Sequence, residues 1–116
     1  MTQPLPLDTV LAEFAENSEA WVLQSKRGGK YLTIPDNRYP GRRPVRFFMS
    51  RLDADRMLTE VLKVNPSLAA EGIAHVSVKL LQALRSIAAD KTPGNADSFV
   101  VHSPNEVYEF MRDRQS

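Results

Sequence analysis

Apolar residues recur every three to four positions in four segments of the chain, which is the spacing of an amphipathic helix. In chain order these segments are residues 8–17, 50–64, 80–89 and the stretch after residue 103. The side chains predicted to face the core are Leu7, Val10, Leu11 and Phe14, then Leu52, Met57, Leu58, Val61 and Leu62, then Leu80, Leu81, Leu84, Ile87 and Ala88, and finally Val107, Phe110 and Met111. We therefore predict four helices, each with one buried face.

Polar residues mark where these helices start. Asp8 can cap the first helix by accepting backbone N–H groups. Ser50 is followed by Asp53 three positions later, and Ser103 by Glu106. This is the spacing of a capping box, in which the two side chains bind backbone N–H groups at the start of a helix. These residues are therefore predicted to have structural roles.

Five short apolar stretches are typical of β-strands. They cover residues 20–24, 31–34, 45–49, 73–78 and 99–101. Gly28 and Gly29 separate the first two and can adopt positive φ, so a tight turn and a β-hairpin are predicted there. Residues 67–72 are predicted to form a short helical turn, and residues 91–95 a loop.

The order of these elements predicts the fold class. Strands separated by single helices imply parallel crossover connections, whereas the hairpin implies an antiparallel part. We expect one α+β domain over residues 1–116 with an α/β-like character. It would hold a single mixed sheet of about five strands with helices packed on it, in the order αβββαβαβα.

Composition excludes several kinds of site. The 116 residues are 42% hydrophobic and contain no cysteine, which excludes disulfides, thiolate zinc sites and cysteine nucleophiles. The N-terminal stretch has four acidic residues before the first basic residue, Lys26, and so lacks the pattern of a secretory signal. No apolar run approaches the ~20 residues that span a bilayer. We expect a cytoplasmic protein that does not associate with membranes.

Charge is unevenly distributed, although the net charge is only +1. Residues 1–25 carry −4, whereas residues 26–46 carry +6. The basic residues of this second block are Lys26, Arg27, Lys30, Arg38, Arg42, Arg43 and Arg46. They are the candidate partner-binding residues, either for an acidic protein or for nucleic acid, where Tyr31 and Tyr39 could stack on bases. The alternative is a solvated surface loop whose charges offset the acidic first helix.

The sequence holds few residues in patterns typical of catalytic or cofactor-binding sites. His102 ends a predicted strand beside a predicted helix start, where ligands gather in open α/β sheets, so it is the candidate for proton transfer. His75 lies within a predicted strand and is expected to be an ordinary strand histidine, either packed or at the surface. The Gly28-Gly29 pair lacks the spacing of a phosphate-binding loop. We therefore predict no cofactor, no metal and no catalytic residue, with a small enzyme using His102 as an alternative.

Residues 44–55 read as an apolar strand followed by Ser50 and then Asp53-Ala54. An amphipathic helix, Asn65-Pro66 and a second strand (HVSVKL) come after it. This arrangement over residues 20–90 resembles the Tic-type intermembrane-space component of the plastid import translocon, and also the SseB-type α/β domain. The resemblance implies a non-catalytic α/β domain with chaperone-like or protein-binding work.

Three functional hypotheses follow from the sequence. The first is a non-enzymatic protein-binding or accessory module, whose partner is another protein or a second copy of itself. The second is nucleic-acid binding through residues 26–46, which requires that affinity fall steeply as salt rises. The third is the small enzyme that uses His102.

Overall fold

The computed structural model describes residues 4–91 and 96–112. The helices are α1 (Leu7–Leu11), α2 (Arg51–Val64) and α3 (Leu80–Ala88), with a 3-10 helix over Pro66–Glu71. The strands are β1 (Glu19–Ser25), β2 (Pro44–Phe48), β3 (Ile73–Lys79), β4 (Ser98–His102) and β5 (Val107–Met111). They form one mixed sheet with helices packed on it, which confirms the predicted fold class. The loop predicted over residues 91–95 lies outside the described residues, apart from Lys91.

The strand order across the sheet is β3-β1-β2-β4-β5. β2 and β4 are parallel, β1 is antiparallel to both β2 and β3, and β5 is antiparallel to β4. Because β3 and β2 both oppose β1, the strands β2, β3 and β4 run in one direction. α2 and α3 are therefore the crossover segments between parallel strands, as their positions in the sequence predicted.

One face of the sheet carries the hydrophobic core. Alternate residues of β1, β2 and β4 point to this face, where α3 supplies the largest helical contribution and α1 adds Val10. Its buried members are Val10, Ala20, Val22, Val45, Phe47, Leu80, Leu81, Ala83, Leu84, Ile87, Ala96, Phe99 and Val101. The inward face predicted for α3 is thus confirmed, except that Ala83 is buried and Ala88 is only half-buried.

A short segment separates β1 from β2 over part of their length. The two strands pair directly at two residue pairs only. Beyond these, residues 31–34 enter between them: the Leu32 N–H donates to the Leu23 carbonyl and the Ile34 N–H donates to the Pro44 carbonyl, both at 3.0 Å. The turn predicted at the glycine pair forms, but residues 31–34 make isolated bridges rather than the predicted strand.

The first helix is shorter than predicted. It ends at Leu11 rather than near residue 17, and Pro6, not Asp8, occupies its N-cap position. Beyond the end of the helix, Phe14 packs edge-on against Tyr108, with ring centroids 5.2 Å apart. A helix of five residues has little stability of its own, so such tertiary contacts decide where it ends.

The capping box predicted at the second helix is present in position only. Ser50 is the N-cap residue of α2, but its side chain makes no capping hydrogen bond. Asp53 instead lies 3.8 Å from Arg56 one turn along the helix.

The helix predicted after Ser103 is wrong, because residues 107–111 form strand β5. The Ser103 hydroxyl does accept the Glu106 N–H at 3.1 Å, as in a helix cap, but it also donates to the Glu106 carbonyl at 2.7 Å. The Ser103 N–H donates to the same carbonyl at 2.9 Å, which closes a turn between β4 and β5. The same local hydrogen bond occurs in a helix cap and in a turn between strands. Here the pairing of residues 107–111 with β4 makes it a turn.

None of the helices within the described residues combines the length and the apolar character needed to cross a membrane.

Candidate functional site

The seven basic residues predicted as a partner-binding block do not form one surface. Three of them, Arg38, Arg42 and Arg46, make ion pairs with acidic residues of the chain. The other four side chains are exposed: Lys26, Arg27, Lys30 and Arg43. The block therefore divides into a structural group of ion-paired residues, of which Arg38 is also exposed, and a second group without an ion pair among the described residues.

The structural group covers the sheet face opposite the core. Arg46, Val100 and Glu109 lie in one row across β2, β4 and β5. The Glu109 side chain is only 1% exposed and pairs with Arg38 at 2.7 Å. Asp36 lies 2.7 Å from Arg38 and 3.2 Å from Arg46, so the loop after residue 34 links the two ends of the row.

Two further contacts hold this loop. The Tyr39 hydroxyl donates to Oε2 of Glu109 at 2.7 Å. Arg42 donates to the backbone carbonyl of Arg112 and lies 4.0 Å from Asp97. Because a buried carboxylate is costly without partners, the contacts from Tyr39 and Arg38 explain how Glu109 is accommodated in the sheet.

The pKa values in this network shift in the directions that its hydrogen bonds require. Hydrogen bonds from the Arg38 side chain and then from its backbone lower the pKa of Asp36 to about 2. The hydrogen bond to Glu109 raises the pKa of Tyr39. Both groups therefore keep their charge state at neutral pH, and the network acts as a fixed scaffold for the loop.

His102 lies at the end of β4 and belongs to the same network. Its ring stacks on Phe48 with centroids 4.8 Å apart, and its Nε2 lies 3.1 Å from the Arg46 guanidinium. Burial lowers its pKa, and the Arg46 charge lowers it further. In catalytic triads an acid orients the histidine and favours the imidazolium, whereas here a cation faces the ring and disfavours it. This geometry suits a packed neutral imidazole.

His75 contacts a carboxylate of α2. Its Nε2 lies 2.5 Å from Oδ1 of Asp55, and Trp21 packs edge-on against it at 5.5 Å. The Arg51 guanidinium lies over the same indole at 5.5 Å. These contacts attach the N-terminal half of α2 to the sheet.

The exposed cations converge on a cleft of about 560 Å³ beside the glycine turn. Arg27, Lys30 and Arg43 line it, together with one acidic residue, Glu71. Within residues 4–91 and 96–112, no ion pair or hydrogen bond involves the side chains of the three basic residues. Lys26 lies beside the cleft, with its stem over Gly72. The cleft is thus a cluster of unpaired positive charge.

An apolar groove of about 430 Å³ lies next to this cleft. It runs between residues 32–35 and the C-terminal half of α2. Seven apolar and three polar residues line it: Leu32, Ile34, Pro35, Met57, Val61, Val64 and Leu68, with Thr33, Glu60 and Asn65. Leu32 and Thr33 line both the groove and the cleft, so the two share a wall.

The groove exists because α2 is lightly packed. Ala54 is its one fully buried residue, and Leu52, which was predicted to face the core, is 58% exposed. Val64, at the rim of the groove, is 83% exposed. The groove was not predicted from the sequence, because the helical spacing of Met57 and Val61 indicated core positions. One feature of the sequence could have indicated the groove: α2 carries more apolar residues than one face of the sheet can cover.

No group of three or more histidine and acidic side chains able to hold a metal ion occurs among the described residues. Comparison with known proteins gave no match, either to a protein-family model or to a curated protein. The resemblance to the Tic-type and SseB-type domains therefore stays a prediction. The function is proposed from the groove and the cleft alone.

Proposed function

We propose that the protein is a non-enzymatic protein-binding module that takes an apolar segment of its partner into the groove along α2. The observation that carries this proposal is the groove itself, with Val64 83% exposed at its rim. Scattered exposed apolar residues are ordinary, but seven apolar residues that line one concave surface, five of them partly buried, are characteristic of a binding site.

The packing of α2 supports this function. Its N-terminal half is attached through Ala54 and the Asp55–His75 contact, whereas its C-terminal half presents Val61 and Val64 to the groove. Full burial of one such aliphatic side chain is worth about 1.5–3 kcal/mol. A partner side chain seated in the groove would supply the apolar contacts that the sheet does not make with this half of the helix.

The chemistry of the groove argues against catalysis there. Its polar residues are Thr33, Glu60 and Asn65, and it contains no histidine. A reaction requires a nucleophile or base held near a group that stabilises developing charge. His102, the sequence candidate for this role, instead faces Arg46 on the network described above.

Nucleic-acid binding through residues 26–46 is less well supported. Arg38, Arg42 and Arg46 are engaged in contacts within the chain, which leaves four cations of the block without an ion pair among the described residues. Of the two rings suggested for stacking, Tyr39 binds Glu109 and Tyr31 packs edge-on against Phe47 at 6.0 Å. Neither ring offers the open stacking platform that single-strand binders use.

Selection from a library of random peptides tests the proposal. The purified protein should enrich peptides that share an apolar anchor, and fluorescence titration should then give an affinity for individual peptides. Val64→Asp places a charge at the groove rim and should weaken binding at least tenfold. Leu52→Asp is the matched control, because Leu52 is also an exposed apolar residue of α2 but lies outside the groove lining.

Both variants should unfold in urea at a midpoint close to that of the original protein, since both positions are exposed. Equal loss of binding in both variants, or no enrichment of any peptide, would contradict the proposal. Self-association that Val64→Asp abolishes, without any peptide binding, would assign the groove to a second copy of the chain and would also overturn it.

A further inference from the structure

The cleft of unpaired cations and the apolar groove are two parts of one continuous surface. Leu32 and Thr33 form the wall between them. The backbone N–H of Leu32 donates to the Leu23 carbonyl at 3.0 Å, and Thr33 bridges to Val45. Because the wall is held by the sheet on both sides, the two sites keep a fixed spacing.

The positions of the cations are also fixed at the backbone. Oδ1 of Asp97 accepts the Arg43 N–H at 2.8 Å. In the turn, the Ser25 N–H donates to the Lys30 carbonyl at 2.9 Å, and Nε2 of Gln24 donates to the Gly29 carbonyl at 2.6 Å. A surface whose backbone is already ordered loses less conformational entropy when it binds a partner.

The charge of the cleft is positive on balance. Among the residues that the structure describes, three cations line it and Glu71 supplies one carboxylate. The Glu71 carbonyl accepts a hydrogen bond from the Ser25 hydroxyl at 3.1 Å, which attaches the 3-10 helix to the end of β1. An anionic group on a partner would therefore complement the charge of the cleft.

We propose that the partner segment carries Asp or Glu residues next to its apolar anchor, and that Arg27, Lys30 and Arg43 bind these carboxylates. This inference rests on the proposed function, because it assigns the chemistry of the residues that flank the anchor. The groove supplies the apolar contact and the cleft reads the neighbouring charge, so that together they select an acidic–apolar sequence.

A protein segment fits this surface better than a nucleic acid. A phosphate backbone repeats its charge along its length and needs cations that continue with it. Here the positive cleft is bounded at the wall of Leu32 and Thr33, beyond which the lining becomes apolar. A peptide can alternate charged and apolar side chains and so satisfy both parts.

Library selection with charge-reversed protein tests the inference. The original protein should enrich peptides with Asp or Glu beside the apolar anchor. A variant with Arg27→Glu, Lys30→Glu and Arg43→Glu should enrich the same anchor with Lys or Arg beside it. For one selected acidic peptide, we expect this variant to lose about tenfold in affinity at low salt, since three exposed charge pairs are removed.

Lys79→Glu is the matched control. Lys79 is exposed and is the last residue of β3. Ile73, which lines the cleft, is the first residue of the same strand, so Lys79 lies away from the cleft. Its pairing with Glu19 at 3.5 Å is between two exposed side chains and is worth little. This variant should retain the preference for acidic flanks and the affinity for the acidic peptide.

The outcomes separate this inference from the proposed function. If no peptide with an apolar anchor is enriched, the proposed function fails and the inference fails with it. If apolar anchors are enriched without an acidic bias, or if the bias survives in the triple variant, only the inference fails. Binding of a single-stranded oligonucleotide that the triple variant abolishes, without acidic bias among peptides, would assign the cleft to nucleic acid and overturn the inference.

Discussion

The Tyr39 hydroxyl donates a hydrogen bond to Oε2 of Glu109 at 2.7 Å, although 70 residues separate the two in sequence. This contact fastens the loop after residue 34 to β5 at the edge of the sheet. Arg38 pairs with the other carboxylate oxygen of Glu109 at 2.7 Å. The same loop begins at Pro35, which lines the apolar groove, so the network and the groove are structurally connected.

Glu109→Gln should lower the free energy of unfolding by about 2 kcal/mol, because Arg38 and Tyr39 both lose the charge of a buried partner. Tyr39→Phe should cost about 1 kcal/mol, since it removes one hydrogen bond and leaves the ion pair. Urea unfolding measures both. Tyr108→Phe is the control, because its hydroxyl bonds Glu106 at an exposed site and should matter little. Equal effects of all three substitutions would contradict a central role for Glu109.

Stability should fall as the pH drops below about 6.5, the ordinary pKa of histidine, because burial lowers the pKa of His102. Between the pKa of His102 in the folded protein and its higher pKa in the unfolded chain, the unfolded chain binds the proton and the folded protein does not. The stability that His102 contributes is therefore fully present above its pKa in the unfolded chain. It is lost as the pH falls towards the lower pKa of His102 in the folded protein. His102→Gln should flatten the slope of unfolding free energy between pH 7.5 and about 5.

The window is chosen so that Asp36, whose pKa is about 2, stays ionised throughout. Two-dimensional NMR of the imidazole nitrogens checks the cause directly. A measured pKa of His102 above 6.5 would refute the assignment of the slope to this residue.

Helix α2 should tolerate changes at Leu52 and resist them at Ala54. Ala54→Leu overpacks the one fully buried position of the helix and should cost about 1–3 kcal/mol. Leu52→Ala should change the free energy of unfolding by less than about 0.5 kcal/mol, because this side chain is 58% exposed. Thermal and urea unfolding compare the two. A larger loss at Leu52 than at Ala54 would show that α2 packs through a different face.

Gly72→Ala should destabilise the junction between the 3-10 helix and β3 by about 1 kcal/mol or more. Gly72 has φ of 72°, a conformation that side chains disfavour, and an added Cβ would lie 3.2 Å from Cβ of Lys26. Gly28→Ala is the control, since its added Cβ would come no closer than 3.8 Å to Cγ of Lys30. Urea unfolding midpoints should therefore fall for Gly72→Ala only, and a matching fall for Gly28→Ala would point to a general effect of alanine near the turn.

Much of the architecture could be predicted from the sequence because its signals are local. The apolar spacing of residues 80–89 indicated α3, and continuous apolar runs indicated β2 and β4. The short helical turn that ends at Gly72 was also correct, because a glycine is needed where φ is positive. In these stretches propensity, periodicity and tertiary packing favour the same structure.

The errors occurred where one local signal fits two structures. The hydrogen bond between the Ser103 hydroxyl and the Glu106 N–H is common to a helix cap and a turn, and only pairing with β4 made residues 107–111 a strand. The excess of apolar residues on α2 was likewise consistent with a buried helix. How much of a helix is covered depends on the area of sheet beneath it, which no local pattern reports.

The sequence by itself determined the fold class, most of the strands and the uneven distribution of charge, because these depend on the order and type of neighbouring residues. Only the tertiary structure decided which of the seven basic residues form ion pairs with acidic residues of the chain. Each of the paired arginines has a partner far away along the chain. Arg38 pairs with Glu109 and Arg42 with Asp97, whereas Arg46 contacts His102. The adjacency of cleft and groove has the same origin, since residues 32–35 meet α2 only after the sheet has formed.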